Sequence, residues 1–164
     1  MAKWIGLTVG LAVAAALLMT WRVPATSGAL GAELTLVATP PGELTPRPAG
    51  AFLHGRRLTA GGAAATGRLE LRNITGRRLA VRVRLLPAAP DLDRALRVEL
   101  EDAGRLVAVG RLGALRRWSR GAFQLRPGES RRLDARAFVL EHAGGYEGRM
   151  VDVTVELRAR PVER

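Results

Sequence analysis

From residue 30 onward, apolar and polar positions alternate with a period close to two, and Gly, Pro, Asn and Asp interrupt the alternation at short intervals. That combination predicts strands joined by turns. Leu34 and Leu36 alternate with Glu33 and Thr35 in a first strand ending at Pro40-Pro41, and the Pro/Gly/Thr-rich stretch up to Gly50 reads as a loop. In residues 68–72, Leu69 and Leu71 face one way and Arg68, Glu70 and Arg72 the other, with a turn at 73–76. Residues 79–85 are the most regular strand: Leu79, Val81, Val83 and Leu85 share one face, Arg82 and Arg84 the other, the pattern of an antiparallel sheet with one wet side.

Pro87 and Pro90 stop that strand, and residues 90–94 predict one helical turn with aspartates at its N-terminus. Leu96, Val98 and Leu100 form the next strand, 102–104 a tight turn, and 106–109 the return strand. Residues 110–120 read as irregular: Leu112, Leu115 and Trp118 have helical spacing, whereas Gly113 and the arginines suit a loop. A short strand at 123–125 enters the turn Arg126-Pro127-Gly128-Glu129, and strands follow at 133–140 and 150–159, the last with Val151, Val153, Val155 and Leu157 inward. Leu58 before Gly61-Gly62 and Leu125 before Pro127-Gly128 predict two similar hairpin-like corners on opposite sheets. About eight strands in one domain predict an all-β fold, a single two-layer antiparallel β-sandwich of jelly-roll or Ig-like type.

Ahead of the strands lies WIGLTVGLAVAAALLMTW, residues 4–21, flanked by Lys3 and Arg22 and without internal charge. As a helix it spans roughly 27 Å, just short of the bilayer's apolar core of about 30 Å. The run predicts an N-terminal hydrophobic export helix, since nothing downstream is helical enough to pack around it as a buried core helix. It reads either as a signal peptide, with small residues permitting cleavage after Ser27, Ala29 or Gly31, or as an uncleaved anchor with Trp4 and Trp21 at the two interfaces. The expected division is a leader at 1–29 and a β-sandwich domain at 30–164, with the protein secreted or displayed on the cell surface.

Charge and composition narrow the chemistry. The chain has no cysteine, which excludes thiolate catalysis, zinc-thiolate sites and iron–sulfur clusters, so an exported domain must rely on packing. The formal charge is +11; without Lys3 and Arg22, 24 basic residues face 15 acidic ones, a balance of +9. An excess of that size raises an anionic partner, although the Ala/Gly/Arg-rich composition of GC-rich codons accounts for part of it. The contacts expected for an anionic cell-wall polymer or extracellular DNA are the arginines on wet strand faces, Arg72, Arg82 and Arg84. Aromatic residues are too few, and not interleaved with arginine, for a base-stacking platform.

The only histidines, His54 and His142, lie far apart, read as loop residues and have no ligand spacing around them. Glu99 and Glu101 share a solvated strand face beside the Asp102 turn, and Asn73-Ile74-Thr75 fits a glycosylation sequon but is better explained as turn chemistry. No catalytic, cofactor or metal residue is expected, and no enzymatic activity.

The order of these features resembles the TasA/camelysin family of secreted β-sandwich proteins. The resemblance is carried by Glu33-Leu34-Thr35-Leu36, a corner at 52–62, Gly67-Arg68-Leu69-Glu70-Leu71-Arg72-Asn73 turning through Thr75-Gly76 into Leu79-Ala80-Val81-Arg82-Val83, and Gly104-Arg105-Leu106-Val107 with Gly110, Leu112 and Leu115. Leu125, Pro127-Gly128, Ser130 and Tyr146-Glu147-Gly148 ahead of the closing strand extend it over nearly all of residues 30–164. The resemblance implies a biofilm-matrix or surface protein, some members of which polymerise by lending an N-terminal strand to the next subunit. Two features depart from it. Fibre-forming members carry an arm before the Leu-x-Leu strand, so here residues 30–38, with Leu34 and Leu36 as the apolar plugs, would be the donor; and the metallopeptidase activity attributed to camelysin-type members has no ligand set in this chain.

The expected function is therefore an exported, non-enzymatic structural protein of the cell surface or matrix, forming a homo-oligomer or fibre by strand donation. The alternative is a membrane-anchored arginine-rich module on anionic polymers, touching the membrane only through residues 4–21; a metallopeptidase stands third.

Overall fold

A computed structural model describes residues 30–163, and the export helix expected at residues 4–21 lies outside them. The described residues form ten strands: β1 (Ala32–Thr39), β2 (Leu44–Arg47), β3 (Ala51–Leu58), β4 (Ala65–Asn73), β5 (Leu79–Pro87), β6 (Leu96–Asp102), β7 (Arg105–Arg111), β8 (Phe123–Leu125), β9 (Ser130–Val139) and β10 (Met150–Pro161). They build two five-stranded sheets, β3-β1-β10-β5-β8 and β2-β4-β9-β6-β7, in a β-sandwich-like arrangement.

The period-two pattern sorts side chains as expected. Leu79, Val81, Val83 and Leu85, then Val151, Val153, Val155 and Leu157, point into one core together with Leu34, Leu36, Leu69, Leu71, Leu96, Val98 and Leu100. Burying a leucine or valine side chain contributes about 1.5–3 kcal/mol, and with no disulfide this core holds the two layers together.

Several expectations are corrected. The sheets are not purely antiparallel: β1 runs parallel to β10, from Glu33 opposite Met150 to Thr39 opposite Glu156. The stretch expected as a loop up to Gly50 contains β2, invisible to periodicity because only Leu44 is buried and Pro46 interrupts it; pairing with β4 makes it a strand, at a sheet edge where proline is tolerated. β3 also escapes the pattern, because register shifts against β1 break its alternation and Arg57 sits at φ 53°. His54 is consequently a strand residue, opposite Thr35, and not a loop one.

Residues 90–94 make the expected single turn of i→i+3 and i→i+4 bonds, which does not continue as a helix. Asp93 N–H bonds Pro90 O (3.0 Å) and Leu96 N–H bonds Leu92 O (3.0 Å), but Leu96 already belongs to β6 and nothing propagates. The stretch expected to be irregular holds a single 3-10 turn, Leu112–Arg116, with Leu112 buried. The two corners expected on opposite sheets are both crossings: β3 to β4 and β8 to β9 each pass from the first sheet to the second. Among the described residues only β6 and β7 form a hairpin within one sheet, through Ala103 and Gly104, both at positive φ.

At one side the layers nearly touch, since a Cβ on Gly67 of β4 would collide with the Phe52 carbonyl of β3 and lie 2.6 Å from Leu53 Cβ. At the other side, edge strands β7 and β8 are separated by the 3-10 turn and the segment carrying Trp118.

Candidate functional site

Two surfaces can carry function, one made of backbone and one of charge. The first is β1. Leu34 and Leu36 are 1% and 0% exposed and point into the core, and β1 lies between β3 and β10 with its backbone paired on both flanks. It is nonetheless the first strand of the described chain, leaving for the other sheet through Pro40-Pro41-Gly42. Removing β1 would expose two unpaired edges, β3 and β10, around an apolar slot. Its entry is tight, because a Cβ on Gly31 would collide with the backbone of Arg57.

The second surface is basic. Arg72 lies on β4, exposed on the outer face of the second sheet and opposite Thr45 and Ser130. Arg82 and Arg84 lie on β5, on the outer face of the first sheet. The fold thus separates Arg72 from the other two across the thickness of the domain. Arg84 is committed: its Nε donates to Glu156 at 2.6 Å, and its guanidinium carbon lies 4.6 Å from the centre of the Trp118 ring.

Arg82 faces Arg158 of β10 directly, and Arg158 lies 5.8 Å from the same ring. Ala80, Ala122, Trp118, Arg82, Arg158 and Arg160 line a dent of about 290 Å³. Sequence reading missed Trp118, Arg158 and Arg160. A basic period-two face on residues 158–160 was visible, but its lateral neighbour was not, and Trp118 lay in the stretch read as irregular.

The remaining chemistry-bearing groups are absorbed by the fold. Asn73, 0% exposed, ends β4; its Nδ2 donates to the carbonyls of Arg77 (2.8 Å), Arg126 (3.0 Å) and Leu125 (3.2 Å), and its Oδ1 accepts from Thr75 N–H (2.9 Å) and Oγ1 (2.7 Å). The sequon asparagine is therefore a turn residue whose amide is fully occupied. Asp102, buried at the end of β6, accepts from Arg131 Nη1 (2.7 Å), and Arg131 Nε donates to Glu129 (3.0 Å). Glu129 Oε2 also accepts the Arg126 backbone N–H at 2.6 Å; that bond first, then Arg131, holds its carboxyl below the usual glutamate range.

Glu99 and Glu101 share the outer face of the second sheet, as expected, with Glu99 beside Arg97 (3.1 Å) and Arg136 (3.8 Å). A concavity of about 920 Å³ is bounded by Arg94, Arg97, Arg111, Phe138 and His142, while His54 stands on the first sheet. Among the described residues no three His, Cys, Asp or Glu side chains come together in a way that could hold a metal ion, and no helix is long and apolar enough to cross a membrane.

No family model and no curated protein matches this chain.

Proposed function

We propose that the protein is an exported, non-enzymatic β-sandwich of Ig-like or jelly-roll type, working at the cell surface or in the extracellular matrix and self-associating by exchange of its first strand, as the resemblance to the TasA/camelysin family implies. One observation carries the reading: β1 occupies an interior slot between β3 and β10 although it is the first strand of the sandwich. A strand so placed can be withdrawn from its own sheet and supplied to a neighbour's, the incoming strand restoring the bonds of β10 and of β3, whose one partner in the sheet is β1. The same backbone hydrogen bonds and the same Leu34 and Leu36 contacts form in either case, so exchange costs little at equilibrium and concentration decides it. The Pro40-Pro41 connection supports this, since its restricted backbone favours an extended link between β1 and the rest.

The test uses a cross-strand disulfide. Thr35 and His54 are partners across the antiparallel β1–β3 pair, and the chain has no native cysteine. In the T35C/H54C double variant, a folded monomer forms an intramolecular bond, whereas exchange links the donor's residue 35 to the acceptor's residue 54. Oxidised at high protein concentration, the exchanged protein gives a reducible ladder on non-reducing gels. A monomer band alone, at every concentration and pH, refutes the proposal.

A second reading, an arginine-rich module on anionic polymer, is supported by a different observation, the basic dent beside Trp118 on the outer face of the first sheet.

A further inference from the structure

We infer that the dent formed by Arg82, Arg158, Arg160 and Trp118 is a binding site for phosphate groups of a soluble polyanion. The inference rests on the second of the two readings above, narrows it to one site, and is independent of strand exchange.

Arg82 and Arg158 are directly opposite on adjacent antiparallel strands, an arrangement of like charges that destabilises a sheet. At the next same-face pair Arg84 faces Glu156, and on the second sheet Arg68 faces Asp134, with Nε at 3.2 Å from the carboxylate; Arg97 also faces an arginine, Arg111, but has Glu99 at 3.1 Å. Glu156 is already held by Arg84 at 2.6 Å. Among the described residues, no carboxylate lies within 4.0 Å of Arg82, Arg158 or Arg160. Three guanidinium groups thus share one hollow with no internal counter-charge.

The hollow exists because its other positions are small. Ala80 and Ala122 leave the space that longer side chains would fill, and Gln124, the β8 partner of Ala80, adds no charge. Trp118 forms a wall, held in place because Ser119 is stitched to β5: Ser119 N–H donates to Val83 O (2.7 Å) and Val83 N–H donates to Ser119 Oγ (3.2 Å). Its ring fixes Arg84 and Arg158 by cation–π contact, which lowers the entropy cost of presenting the Arg158 fork to a ligand.

Planar guanidinium groups match the oxygens of phosphate in bidentate fashion. A volume of about 290 Å³ accommodates one phosphate with its adjoining sugar or polyol unit, not a base-paired duplex. Arg117 and Arg120, exposed on either side of Trp118, extend the positive surface beyond the hollow. A flexible chain bearing successive phosphates fits this layout better than an isolated ion.

The experiment uses the full-length W4F/W21F variant in non-ionic detergent, where Trp118 is the only tryptophan and reports on the hollow itself. The probe is short-chain inorganic polyphosphate. A saturable change in Trp118 emission is expected, with the apparent Kd raised about tenfold or more by R82A/R158A and little changed by R72A on the opposite face. Circular dichroism and the melting temperature of R82A/R158A should match the parent, since removing two opposed charges on a wet face leaves the core intact. Absence of a saturable Trp118 response overturns the site, and absence of any polyphosphate retention by the parent protein in a filter-binding assay overturns the anionic-polymer reading with it. Equal weakening by R72A overturns the site alone, leaving diffuse charge as the cause of binding. A response to phosphatidylglycerol vesicles or to polyglutamate, with none to polyphosphate, also overturns it.

Discussion

Replacing Asn73 by alanine should destabilise the domain strongly, because its buried side chain ties two connections together. Asn73 lies where the β4–β5 connection meets the β8–β9 corner, and its side chain joins both: two amide hydrogens are shared among the carbonyls of Arg77, Leu125 and Arg126, and Oδ1 accepts two bonds from Thr75. Its own backbone continues the seam, with N–H donating to Glu129 O (2.9 Å) and O accepting from Gly128 N–H (3.0 Å). Four side-chain bonds at about 1 kcal/mol net each suggest ~4 kcal/mol, of which water reaching Thr75 and Arg77 returns part, leaving a loss of about 3 kcal/mol.

With m between about 1 and 3 kcal/mol/M, that loss lowers the urea midpoint by roughly 1–3 M at unchanged slope. Asn73→Asp sharpens the test. It keeps the acceptor toward Thr75 but turns a carboxylate oxygen toward three carbonyls, so at pH 7 it should be at least as unstable as the alanine variant. Because ionisation is disfavoured in that folded site, its deficit should shrink as acid restores a hydroxyl donor. Urea titrations followed by circular dichroism at pH 7 and pH 4 measure both. A loss under about 1 kcal/mol for Asn73→Ala, or an Asp variant without pH dependence, would sink the account of Asn73 as the seam between the two crossings.

Gly67→Ala should cost about 3 kcal/mol, read as a lowered urea midpoint, because its Cβ meets the Phe52 carbonyl where β3 and β4 approach, whereas Gly76→Ala, with nothing within 4 Å, should be close to neutral. Tyr146→Phe removes the hydroxyl that accepts the Ala60 N–H at 3.1 Å; a loss of about 1 kcal/mol with faster amide exchange at Ala60 is expected, and unchanged exchange there would contradict it. Glu129→Gln should cost under about 1 kcal/mol at pH 7, the group being near the surface. The Glu129 carboxyl is lowered in the folded state, so its contribution is present above the ordinary glutamate value near pH 4 and is lost as pH falls through the folded one; parent and variant melting temperatures should converge in acid.

Much of this architecture is written in alternation alone. Residues 79–85 and 150–159 give their inward faces correctly, since a strand's side chains alternate whatever lies beside it. The short strand at 123–125 and its Pro-Gly corner are legible for the same reason, with Gly128 at φ 72°. β2 and β3 are not, because they become strands through pairing with β4 and β1 despite broken periodicity. Turn chemistry marks where the chain bends but not its destination. Asn73 to Gly76 and Arg126 to Glu129 both read as tight turns, and both prove to be crossings between sheets.

All-β character, the apolar half of each regular strand, the lack of cysteine chemistry and the basic excess follow from residue order, because each is a local or summed property. Which strands become neighbours does not, since lateral order rests on contacts between residues far apart in the chain, which periodicity cannot encode. Only in three dimensions does β1 slot between β3 and β10, Asn73 reach the carbonyls of Leu125 and Arg126, and Arg82 come opposite Arg158 beside Trp118. The functional surfaces proposed for this protein depend on those neighbours, and so they became visible only once the two sheets were assembled.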